Sequence, residues 1–207
     1  MCGGALSPSR QTWSALPTRR GWIVTLCVGE NEYEASWSGN AVAARVAEET
    51  PTGNALVLGI GNVLLGDDGA GVKLVERLRS ELGAEAATFI DGGTIGFALL
   101  SYVEATDSML VVDAAELDSA PGTVALFEGA AMDRLLASVR RRTVHEVGLI
   151  DLLAMARLQD CLPPRRALLC IQPARIVWSE TLSAPVEAAF DGAIEQARAL
   201  LERWRVG

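Results

Sequence analysis

Three short apolar runs, each ending in aspartate or leading straight to one, constrain what this chain can fold into more than any other feature. ALVLGI (55–60) is followed by GNVLLGDDGAG with Asp67 and Asp68, ATFID stops at Asp91, and SMLVVDA carries Asp113 near its end. Runs this short and apolar throughout are the mark of strands buried on both faces. Between them lie stretches with helical spacing, such as GAGVKLVERLRSEL with Val72, Val75, Leu78 and Leu82. Asp67 and Asp68 fall where an N-cap of that helix belongs. Buried strands alternating with amphipathic helices predict an α/β fold: a three-layer sandwich whose twisted, mostly parallel or mixed sheet is flanked by helices on both faces.

The pattern runs on to the end of the chain, so residues 53–207 read as one domain. A helix is predicted over about 96–104, then the strand GTVALFE after Pro121-Gly122, a turn that points to a hairpin or an edge strand. A helix near 132–141, another starting just past His145, the strand RALLCIQ and a final helix from about Pro185 to Trp204 complete it. Residues 1–52 have a different texture, with scattered Trp13, Trp22 and Trp37 and no sustained period, and are expected to form a poorly ordered or irregular extension. TRRGWIVTLCVG does not read as an export signal, because its apolar stretch is short and runs into acidic ENEYE without a small-residue cleavage site.

Half of the 207 residues are apolar and a fifth are charged, enough to bury a sizeable core. A net charge of −8 leaves no basic field for nucleic acid or an anionic membrane surface. No apolar run approaches the roughly 20 residues of a helical membrane span. Cys2, Cys27, Cys161 and Cys170 show neither a C-x-x-C pair nor a disulfide-scaffold spacing, so free thiols in a reducing, cytoplasmic compartment are expected. Cys170, inside ALLCI, reads as a small buried hydrophobe.

In open α/β sheets ligands bind outside the carboxyl ends of the strands, which is where the aspartates fall. A dinucleotide loop is the rival reading of the glycines around them. It fails because Leu64 stands where the third glycine of G-x-G-x-x-G belongs, and the aspartates at the helix start repel phosphate. Any one of the aspartates alone reads as a cap or a strand-end turn. Three at successive strand ends read as a site, since clustered carboxylates raise one another's pKa or need a cation between them. His145 in TVHEVGLIDLL is the only histidine, placed at a helix start. Two carboxylates and an imidazole make an open O, O, N set suited to nickel or zinc. No G-x-S-x-G motif supports a serine nucleophile.

GIGNVLLGDDGAG, IDGGTIGFALL, LVVDA, HEVGLIDLL, and IQP with WSETLSAPVEAA run in this order over about residues 55–190. Together they resemble the endopeptidases that mature nickel-iron hydrogenases. The resemblance implies a metal-dependent protease, described for the family as aspartic-type, that removes a short C-terminal tail from the nickel-loaded large-subunit precursor. It places the metal ligands at Asp68, Asp113 and His145, with nickel supplied by the precursor and weakly held by the free enzyme. The family's first ligand is often glutamate; the aspartate here is one methylene shorter, and Asp67 is the alternative if the turn shifts by one residue. Hydrolysis is expected from metal-polarised water or from a carboxylate, with Asp68, Asp113 and Asp91 as catalytic candidates and Asp91 the nearest base outside the ligand set. The expected partner is the precursor, met by a monomer without nucleic acid or membrane. The alternative is a non-catalytic, nickel-dependent assembly chaperone for the same precursor.

Overall fold

The computed structural model describes residues 12–18, 21–28, 31–37, 55–93, 99–138 and 144–206, with side chains from 55–93, 99–137 and 148–206. The chain falls into two compact units, Met1–Thr50 and Pro51–Gly207. In the first, β1 (Thr12–Thr18), β2 (Gly21–Val28) and β3 (Asn31–Trp37) pair as an antiparallel meander, with Thr18 opposite Gly21 and Val28 opposite Asn31. This differs from the irregular extension expected there. The middle strand, GWIVTLCV, is rich in β-branched residues and pairs on both edges, a preference that a search for alternation in one segment does not register.

In the second unit, β4 (Ala55–Ile60), β5 (Thr88–Gly93), β6 (Ser108–Ala114), β7 (Val124–Glu128) and β8 (Arg165–Ile171) form one sheet in the order β5-β4-β6-β8-β7. β4 runs parallel to β5 and β6, and β6 parallel to β8; β7 lies antiparallel along the outer side of β8. Pro121-Gly122 therefore leads into an edge strand. The helices are α1 (Ala70–Leu82), α2 (Leu100–Glu104), α3 (Ala130–Ser138), α4 (Val144–Leu158), α5 (Ala184–Ala188) and α6 (Phe190–Val206).

Both faces of the sheet are covered, which is why its central strands are apolar throughout. Val57, Leu110, Val112 and Leu169 pack on α1 and α6 through Leu74, Leu78, Phe190 and Ile194. Leu56, Leu58, Met109, Val111 and Leu168 face the other way, onto Val103 of α2, Met132 of α3 and Leu149 and Leu152 of α4. Cys170 is fully buried in this second layer. Each such side chain contributes about 1.5–3 kcal/mol on leaving water, so burial on two faces outweighs local propensity in setting the sheet. Among the described residues no helix is long and apolar enough to cross a membrane.

Several boundaries differ from the expected ones. β5 continues two residues past Asp91, and of the helix predicted over 96–104 the described part is α2, with 94–98 outside the described residues. α3 begins at Ala130, and 139–141 of its predicted span also fall outside. α4 includes His145 instead of starting after it. The single terminal helix is two, because the Ala189 amide donates to the carbonyl of Val186 (3.2 Å), an i→i−3 bond that tightens the chain between α5 and α6.

Candidate active site

The crevice of an open parallel sheet opens where the strand order reverses. Here that point lies between β4 and β6: from β4 the chain passes through α1 to β5 on one side, then returns through α2 on the opposite face to β6 on the other side. Asp68 follows β4 and Asp113 belongs to β6, so both border the reversal.

Residues Asp67–Gly69 form a 3-10 turn that packs against β6 and runs straight into α1. Gly71 makes the close approach possible, since a Cβ there would overlap the carbonyl oxygens of Ile60 and Val112. The backbone carrying Asp68 is thereby pressed onto the strand ends beside Asp113. Asp67 and Asp68 are almost entirely buried, at 1% and 4% exposure, and so is Asp113 at 4%. The cap positions of the 3-10 turn and of α1 are held by Gly66 and Gly69, so the expectation that an aspartate is the N-cap does not hold.

The two turn aspartates do different things. Asp67 reaches across the fold: its Oδ1 accepts the amide of Ser183 (2.6 Å), and its Oδ2 accepts the amides of Ala174 (2.9 Å) and Arg175 (3.1 Å) and the Ser183 hydroxyl (2.7 Å). Burial raises its pKa, but the bonds from Ser183, Arg175 and Ala174 outweigh that and hold it below the ordinary carboxylate value. Asp67 is thus an ionised clamp on the segment between β8 and α5. Asp68 Oδ2 accepts the amide of Asn62 (2.9 Å), which folds the β4–α1 loop back over it.

Asp113 shares its strand face with Met109 and Val111 and lines a small, partly enclosed pocket with Leu135, Leu149, Leu168 and Cys170. Leu149 belongs to α4, and His145 stands four residues earlier on that helix, so its α-carbon lies one turn, roughly 6 Å, toward the helix start. The His145 side chain lies outside the described residues. Among the described residues no three His, Cys, Asp or Glu side chains form a group able to hold a metal; the expected trio includes one that is not among them. Asp91 is placed otherwise. It is exposed, its Oδ1 accepts the amide of Gly93 (2.8 Å), and alternation along β5 puts it on the face of Phe89, which packs with α1 and α6. That face is opposite the one Asp113 occupies.

Sequence reasoning missed Ser183 and the clamp it completes. Asp67 and Ser183 are 116 residues apart, and nothing local to either segment signals the bond.

The structure is an open α/β sheet, doubly wound, with two buried carboxylates at its reversal point, and comparison with known proteins assigns it to one family. The profile of the hydrogenase maturation protease family matches residues 72–200. The hydrogenase expression/formation protein HupD of Rhizobium leguminosarum is 34% identical over 159 residues, which cover 75% of this chain and 78% of that protein. Among solved structures, the hydrogenase maturating endopeptidase HybD of Escherichia coli superposes with a TM-score of 0.64 at 30% identity, covering 72% of this chain and 92% of its own. The NiFe hydrogenase maturation protease HybD of Thermococcus kodakarensis gives a TM-score of 0.62 at 28% identity, covering 71% and 98%. This chain belongs to the hydrogenase maturation protease family, and its mixed five-stranded sheet is the fold of those endopeptidases.

Proposed function

We propose that this protein is the endopeptidase that removes the C-terminal tail of the nickel-loaded large-subunit precursor of a nickel-iron hydrogenase. Family membership supports the reaction class. The observation that carries the site is the burial of Asp68 and Asp113 at the sheet's reversal point, with the α4 turn bearing His145 next to the cleft that Asp113 lines. In this reading the precursor's nickel is recognised jointly by Asp68, Asp113 and His145. The donor set fits: two hard carboxylate oxygens and one borderline nitrogen, with positions left for the substrate's own ligands. Asp67 is not a member of it, because its carboxylate is already engaged by four donors.

Nickel brought by the precursor acts as a Lewis acid near the scissile peptide. The protein's own groups hold the peptide there and exclude water through the apolar lining of the cleft. Metal-assisted hydrolysis is favoured over carboxylate general-base catalysis by the placement of Asp91, whose carboxylate is turned onto Gly93 on the other face of the sheet. The protein acts in this reading as a monomer in the cytoplasm. Incubating purified protein with nickel-loaded precursor and weighing the product tests it. Loss of a C-terminal fragment is expected; binding with an unchanged precursor mass would instead describe an assembly chaperone.

A further inference from the structure

Seven large apolar side chains are exposed among the described residues. Two, Leu158 and Val206, end helices. The other five, Val63, Leu64, Ile176, Val177 and Trp178, sit on two loops that meet next to Asp68. Trp178 is the most open of the five, at 79%.

These loops are held in place. The Gly66 amide donates to the Ser179 carbonyl (2.7 Å) and the Ser179 amide to that of Leu64 (2.9 Å), while Leu65 and Gly66 bridge to Ser179 and Ile176. Gly66, at φ +64°, lets the second loop close over the first; a Cβ there would stand 3.3 Å from the carbonyl oxygen of Val177. From the other side, Asp67 pins Ala174, Arg175 and Ser183, anchoring the second loop at both ends. Apolar side chains held outward on a hydrogen-bonded frame, not folded inward, are the usual sign of a binding surface.

We infer that this ledge docks an extended, apolar segment of the large-subunit precursor beside the bond that is cut, an inference that rests on the endopeptidase reading above. Continuity with the site argues for this occupant. Val63 and Leu64 follow Asn62, whose amide donates to Asp68 Oδ2 (2.9 Å), and the Val63 backbone packs on Gly69, so the ledge adjoins Asp68. Charge agrees, since the five side chains are neutral and the exposed Arg175 and Glu180 that flank three of them carry opposite signs, which suits a neutral apolar segment. Size agrees as well: the five side chains expose on the order of a few hundred Å², short of the roughly 800 Å² per partner of a stable dimer but ample for one peptide strand anchored by a tryptophan. A pre-formed ledge also spares the ordering cost of binding.

The test compares the full chain with Trp178→Ala and, on the other loop, Leu64→Ser, measuring Kd for nickel-loaded precursor and the KM and kcat of tail removal. Both variants are expected to weaken Kd and raise KM by roughly tenfold or more, with most of the loss in KM and the melting temperature unchanged. Unchanged Kd and KM in both variants, with normal cleavage by the parent protein, would overturn the ledge and leave the endopeptidase reading standing. If the parent binds the precursor without cutting it, that reading fails, and the loss of Kd in the variants still supports the ledge. A parent that neither binds nor cuts overturns both. Self-association of the parent in sedimentation, abolished by Trp178→Ala with no change in precursor Kd, would assign the ledge to a second copy of the chain and overturn the inference.

Discussion

Replacing Asp67 by asparagine changes one oxygen to an NH2 group in a buried cluster built entirely of donors. Oδ2 accepts three bonds and Oδ1 one, so the amide oxygen does best at the Oδ2 position, keeping Ala174, Arg175 and the Ser183 hydroxyl. The new NH2 then meets the Ser183 amide, which Oδ1 holds at 2.6 Å, donor against donor. Losing one charge-assisted bond and leaving a buried N–H unmet costs about 2–4 kcal/mol. For a domain of this size that lowers the melting temperature by roughly 4–16 °C. The pH dependence has a definite sign. The folded-state pKa of Asp67 is depressed below the ordinary carboxylate value, so its stabilisation is fully present above that value and is lost as pH falls through the folded pKa. The gap between parent and Asp67→Asn should therefore be constant from neutral pH down to about 5 and close in stronger acid. Thermal melts at several pH values measure this, and hydrogen exchange at Ala174, Arg175 and Ser183 locates it. An unchanged melting temperature with parent-like exchange at those amides would refute the clamp.

Four further substitutions probe other parts of the structure. Gly71→Ala drives a methyl into the carbonyls of Ile60 and Val112 and should cost about 1–3 kcal/mol in urea unfolding, with processing reduced because Asp68 is displaced from β6; an unaltered unfolding midpoint would contradict the packing. His145→Ala and Asp113→Asn should each slow tail removal by at least about a hundredfold, as the loss of several kcal/mol of metal stabilisation requires, and retained activity in either removes that residue from the site. Asp91→Asn should leave kcat within about twofold, whereas a loss on the order of a hundredfold or more would restore it as the general base.

What could be read from the sequence follows from where burial is symmetric. β4 and β6 lie where the short apolar runs do, because strands covered on both faces are apolar over most of their length. The strand-end location of a candidate site was legible too, in aspartates at or just after the ends of successive strands. The division of labour among those aspartates was not. Asp68 was the expected ligand and Asp67 its alternative, and the donors that engage Asp67 come from residues 107 to 116 positions away. Asp91 and Asp113 both read as strand-end aspartates, yet one residue of strand register sends them to opposite faces: Asp91 aligns with Gly59, as does Val112, the residue before Asp113. The ledge was illegible for a similar reason, since Val63 and Trp178 are unremarkable apolar residues until Gly66 and Ser179 bring their loops together.

The central claim is that the precursor's nickel is what Asp68, Asp113 and His145 recognise. The most direct measurement gives the purified protein equal amounts of nickel-loaded and nickel-free precursor and follows each by mass spectrometry over time. The account predicts loss of the C-terminal tail from the loaded form alone, since without the bridging ion the precursor forfeits most of its docking at the site. Equal cutting of both forms would contradict it.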